Sequence, residues 1–170
     1  MFLNYIKGFF VKKSLKNNLG NQKNIDFSKN VQTIGLLVDE SSFNHSETLI
    51  KELTLQGIAL ENIKIVAYSS KFRKKEMYLR PTFGKSHISW NGEITEDFLY
   101  EFVNSKFDLL LSYYNEENIF LMMLTDRSKA KFKVGFASVD NNLNRLMINT
   151  ELENYKLFVS ELFRYLKNIK

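Results

Sequence analysis

The chain has 170 residues, 44% of them apolar and 14% aromatic, which is enough to bury the core of one globular domain. It has no cysteine and only two histidines, His45 and His87, so a disulfide framework and thiol chemistry are excluded and neither a multi-histidine metal site nor a cofactor is expected. The net charge of +5 is uneven: residues 1–24 hold five lysines and no acid, residues 71–87 hold six cations against Glu76 alone, and the rest of the chain is acidic.

Phe2, Tyr5, Ile6, Phe9 and Phe10 follow the spacing of one helical face, with Lys7, Lys12 and Lys13 off that face. This predicts a basic amphipathic helix that can pack on its own domain, dock on a partner or lie on an anionic membrane surface. Asn4 and Lys7 interrupt the apolar stretch, so a secretory signal is not expected, and no run approaches the roughly 20 apolar residues of a membrane span. A cytoplasmic protein is therefore expected. The polar stretch Asn17 to Asn30 reads as a linker, dividing the chain into a helix-and-linker segment, 1–30, and an α/β domain, 31–170.

Thr33 to Val38 is a short continuous apolar run, as suits a strand buried on both faces. Leu49, Ile50 and Leu53 then give a helical period closed by Gly57, and Asn62 to Tyr68 reads as a second strand. Ser86 to Trp90 reads as a short strand turning at Asn91-Gly92, and Thr95 as the cap of a helix carrying Phe98, Phe102 and Val103. Phe107 to Tyr113 is the clearest central strand. Ile119 to Leu124 follows as a buried helix, then Lys131 to Ala137 and Arg145 to Asn149 as strands. Thr150 with Glu153 has the spacing of a capping box opening a last helix to about Asn168. This alternation predicts a single doubly wound, Rossmann- or flavodoxin-like, mostly parallel sheet with the N-terminal helix added.

Such a sheet binds ligands at the C-terminal ends of its strands, so a crevice is expected at Asp39, Ser41, Ser112, Tyr113, Tyr114 and Gly135, with the two tyrosines placed to stack a planar group. The turn after the first strand is Asp39-Glu40-Ser41-Ser42-Phe43, which lacks the glycines a pyrophosphate needs and presents two acids instead. A phosphate-binding loop and a G-x-S-x-G elbow are both absent, and no catalytic residue is assigned.

The second basic segment interleaves cations and rings: Lys71, Phe72, Arg73, Lys74, Lys75, Tyr78, Arg80, Lys85. Cations neutralise phosphates and rings stack unpaired bases, so this pattern suits sequence-tolerant RNA contact, to which Lys12 and Lys13 would add.

Two resemblances bear on this reading. From Phe107 to Phe136, a central Asp-Leu-Leu-Leu strand, an apolar helix, a Lys129-Ala130-Lys131 turn and Val134-Gly135-Phe136 resemble the late part of the N-terminal domain of heptosyltransferase-type glycosyltransferases. That family carries a glycine-aspartate pair after its first strand, which this chain lacks, so the resemblance implies a remnant of such a half-domain. Taken whole, the sequence is similar to a small bacterial domain family without known activity, which implies a cytoplasmic protein.

The expected function is a non-enzymatic cytoplasmic module docking on RNA or a ribonucleoprotein such as the ribosome. The alternatives are a remnant glycosyltransferase-like or small-ligand domain using the strand-end crevice, and a protein-binding adaptor using the helix Phe2 to Phe10.

Overall fold

The computed structural model describes residues 31–168. The helix Phe2 to Phe10, Lys12, Lys13 and the linker to Asn30 lie outside the described residues.

Among the described residues six strands form one sheet: β1 (Ile34–Asp39), β2 (Ile63–Tyr68), β3 (Thr82–Phe83), β4 (Leu109–Tyr113), β5 (Phe132–Phe136) and β6 (Leu146–Ile148). Their spatial order is β3-β2-β1-β4-β5-β6 and every neighbouring pair is parallel. The protein is thus α/β with the strand order of the Rossmann fold. The order reverses between β1 and β4, where Ile34 faces Leu109 and Val38 faces Tyr113 in register.

Among the described residues four α-helices cover the sheet: α1 (Ser46–Leu55), α2 (Asp97–Asn104), α3 (Ile119–Arg127) and α4 (Tyr155–Asn168). α1 packs against α4 and α2 against α3. Right-handed crossovers in opposite directions from the β1–β4 seam place these pairs on opposite faces. Both central strands are therefore enclosed, and β4 is buried along its whole length. None of the helices among the described residues is long and apolar enough to cross a membrane.

Local chemistry explains where the elements stop. Gly57, at φ +95°, supplies the left-handed residue after α1, and Gly92, at φ +83°, supplies the one in the Asn91-Gly92 turn. Asn118 caps α3, its side-chain oxygen accepting from the Phe120 and Leu121 amides at 3.0 and 3.4 Å. At the lower end of the β1–β4 seam the Asp108 carboxylate accepts from the Gln32 and Thr33 amides, the Thr33 hydroxyl and Lys131 Nζ, the last at 2.7 Å. Burial alone would raise the pKa of Asp108. The Lys131 ammonium and the three other donors outweigh it and hold the carboxyl at about 2.

Three expectations need correction. Ser86 to Trp90 is not a strand: Lys85–His87 is a short 3₁₀ turn and only Ile88 bridges, antiparallel, to Ile94 across the Asn91-Gly92 turn. The edge strand is instead Thr82–Phe83, directly after Pro81, whose carbonyl still accepts from the Ala67 amide. Thr95 does not cap α2, because its hydroxyl donates to the His87 carbonyl. Nor do Thr150 and Glu153 form a capping box. Residues 151–154 make a turn, α4 starts at Tyr155, and the Thr150 hydroxyl is buried with no partner among the described residues. The reason is Leu152, which is buried and whose carbonyl accepts from Tyr113, holding this stretch off the helix axis.

Candidate nucleic-acid interface

The strand-end crevice expected from the fold is filled by the chain itself. Successive residues of β4 point to opposite faces, so Ser112 and Tyr114 share one face and Tyr113 the other. Ser112 Oγ and Tyr114 Oη both bond Thr125 Oγ1 of α3, at 3.1 and 2.8 Å. Tyr113 is fully buried beneath Phe43, their ring centroids 4.7 Å apart, and donates at 2.6 Å to the Leu152 carbonyl. Burial pushes both tyrosine hydroxyls well above their ordinary pKa. These two rings are core residues and not walls of a crevice. Gly135 is buried against Asn144, leaving no room for a side chain there.

Asp39 and Ser41 do stand at the strand ends, but they serve their own turn. Asp39 Oδ1 accepts from the Ser41 amide at 2.9 Å, and Ser41 Oγ accepts from the Ser70 amide at 2.8 Å. Among the described residues, no group of three or more His, Cys, Asp or Glu side chains is placed to hold a metal ion.

The basic segment forms a closed loop between the ends of β2 and β3, from Ser69 to Pro81. Its interior is aromatic. Phe72 and Tyr78 stack, centroids 5.1 Å apart and planes 13° from parallel, and the His87 ring meets Phe72 edge-on at 4.4 Å. Gly84 permits this, since a Cβ there would lie 2.5 Å from that of Phe72. The Tyr78 hydroxyl accepts from the Arg73 amide at 2.8 Å, the Phe72 amide donates to the Ser69 carbonyl, and the Glu76 amide to the Arg73 carbonyl. His87 Nδ1 faces the Gly84 amide at 3.4 Å. Burial lowers the pKa of His87, Glu96 opposes that and Lys74 adds to it, which favours the neutral imidazole that accepts this hydrogen bond.

Arg80 joins the loop to the rest of the fold. Its side chain is only 9% exposed, Nε donates to Glu40 at 3.1 Å and Nη2 pairs with Glu47 at the start of α1. The remaining nitrogen, Nη1, is buried without a partner among the described residues. Arg80 was expected to touch phosphate, but here it is a structural pin whose charge two carboxylates neutralise. Phe72 and Tyr78 likewise stack on each other, which leaves the loop with fewer ring faces for bases than the sequence suggested.

What the loop does expose is charge. Lys71, Arg73, Lys74 and Lys75 are all at the surface, and among the described residues only Arg73 of these is in an ion pair, with Glu76 at 3.3 Å. Lys85, just beyond β3, is also exposed. The structure therefore keeps the cationic half of the expected interface together and turns its aromatic half inward.

A family model matches residues 7–169, nearly the whole chain. The protein belongs to DUF6913, a family of unknown function. No curated protein and no solved structure matches it. For this member of the family the site must be argued from its own residues.

Sequence reasoning missed the partners of Arg80, because Glu40 and Glu47 lie far from it along the chain and only the fold brings them near. It also missed Met77 and Leu79, which are almost wholly exposed at the tip of the loop. By hydropathy alone these two cannot be told from core residues.

Proposed function

We propose that the protein is a non-enzymatic module that docks in the cytoplasm on RNA, or on a ribonucleoprotein such as the ribosome, through the loop of residues 69–81. One observation carries this reading: Lys71, Arg73, Lys74 and Lys75 are presented to solvent on a loop already ordered by its own hydrogen bonds, by the Phe72–Tyr78 stack and by the Arg80 pin. Because the backbone that carries these four cations is already ordered, binding costs the entropy of their side chains but little of the loop's own, which helps a small surface gain affinity for a polyanion. Recognition of this kind follows the phosphate backbone and is tolerant of sequence. Lys85, beside the loop, extends the same positive field; Lys12 and Lys13, outside the described residues, are further cations of the proposed interface. The strand-end alternative lacks comparable support, because Phe43, Tyr113 and Leu152 occupy the space where a ligand would sit.

The test is co-sedimentation with purified ribosomes, comparing the wild-type protein with a variant in which Lys71, Arg73, Lys74 and Lys75 are all changed to glutamate. The variant should leave the ribosomal pellet and keep its melting temperature within a few degrees of wild type, because exposed charges contribute little to stability. Pelleting at the wild-type level would refute the proposal.

A further inference from the structure

The same loop carries two side chains that no charge argument explains. Met77 is 99% exposed and Leu79 98%, while Tyr78 between them turns inward onto Phe72. The two rings of the loop stack on each other and are half-buried, while its two aliphatic side chains stand in water, next along the chain to Lys74, Lys75 and the Arg73–Glu76 pair. The loop is ordered by the Arg73–Tyr78 hydrogen bond and the ring stack, so this display is built into its conformation.

We propose that Met77 and Leu79 seat in an apolar pocket on a protein component of the ribonucleoprotein, while the neighbouring cations engage RNA phosphates beside that pocket. This inference rests on the ribonucleoprotein reading above and narrows it: the partner is an RNA–protein surface, held more tightly than RNA alone. RNA alone gives these side chains nothing to bind, since they have no ring to stack on a base and no donor or acceptor for a base edge. An anionic lipid surface would accept them together with the cations, and vesicle binding is therefore the competing outcome of the experiment below. An apolar centre inside a charged rim is the anatomy of a protein-binding hot spot, and methionine adapts to irregular pockets. The cations supply the complementary charge for the RNA that flanks the pocket.

The experiment uses the full chain and the double variant Met77→Ser/Leu79→Ser, with three probes: purified ribosomes, an oligo-uridylate strand, and phosphatidylglycerol vesicles. Both side chains are solvent-exposed, so the variant should fold and melt as wild type does. Removing two buried aliphatic contacts should weaken ribosome binding by roughly tenfold to a hundredfold. Binding to oligo-uridylate, and the salt dependence of both interactions, should stay unchanged. Unchanged ribosome binding would overturn the inference, as would an equal loss on oligo-uridylate, which would show that the pair acts on RNA or on the shape of the loop. Vesicle binding by wild type that the double variant abolishes, with ribosome binding intact, would overturn it in favour of a lipid surface. If wild type binds neither ribosomes nor oligo-uridylate, the functional proposal itself fails, and that outcome is distinct from the others.

Discussion

Arg80→Met separates the structural role of this residue from the phosphate contact its sequence context suggests. Methionine keeps an apolar stem of similar length in the buried channel but removes the guanidinium that meets Glu40 and Glu47. Glu47 is 78% exposed, so its ion pair contributes at most about 0.5 kcal/mol. Glu40 is only 28% exposed and loses the charged donor at 3.1 Å; an under-solvated carboxylate left without it costs about 1–3 kcal/mol. Against this, the variant no longer buries the unpartnered Nη1 of Arg80, which returns part of that loss. The net destabilisation should be about 1–2 kcal/mol, measured by urea denaturation at pH 7. By comparison Lys74→Glu/Lys75→Glu should shift stability by less than about 0.5 kcal/mol. A stability loss below that same level for Arg80→Met, together with loss of ribosome binding, would refute the assignment of Arg80 as a pin and restore it as a phosphate contact.

Two further outcomes follow from the packing. Asp108, held at about 2, contributes stability that is fully present above the unfolded carboxyl pKa near 4 and is lost as pH falls through 2. Asp108→Asn should therefore cost about 1–2 kcal/mol at pH 7 and progressively less below pH 4, and a gap that stays constant down to pH 2.5 would contradict the account. Tyr113→Phe removes the 2.6 Å hydrogen bond that ties the Leu152 carbonyl over the strand ends. It should destabilise by about 1–3 kcal/mol, read from thermal melts, whereas an unchanged melting temperature would mean that this bond does not hold the 151–154 turn in place.

The sheet was legible because its strands announce themselves by burial. TIGLLV is a continuous apolar run and FDLLLSY is apolar but for Asp108 and Ser112, and runs of that length separated by helical periods admit few topologies besides a parallel sheet covered on both faces. Short-range rules failed where a distant partner overrode them. The Thr150–Glu153 spacing is that of a capping box, yet the Tyr113 hydroxyl, far away in sequence, claims Leu152 and turns the chain instead. Thr82–Phe83 is too short to carry a period, and it forms a strand because Ala67 and Tyr68 offer it an edge.

The candidate site was half legible for the same reason. Lys71, Arg73, Lys74 and Lys75 are exposed, as a run of charge should be. Arg80, Phe72 and Tyr78 belong to the same run, but their surroundings are set by Glu40, Glu47, His87 and Gly84, and no local pattern specifies those contacts. A charge count cannot separate a buried pin from a surface cation, and ring content cannot separate a stack within the loop from a platform for bases.

The salt dependence of binding tests the central claim most directly. If Lys71, Arg73, Lys74 and Lys75 each neutralise one phosphate, the logarithm of the association constant for an oligo-uridylate strand should fall against the logarithm of salt concentration with a slope of about −3. Lys74→Glu/Lys75→Glu should make that slope shallower by about 1.4, while Arg80→Met, in protein that is still folded, should leave it unchanged. Binding that does not weaken as salt rises, or a slope that survives the loss of Lys74 and Lys75, would contradict the account.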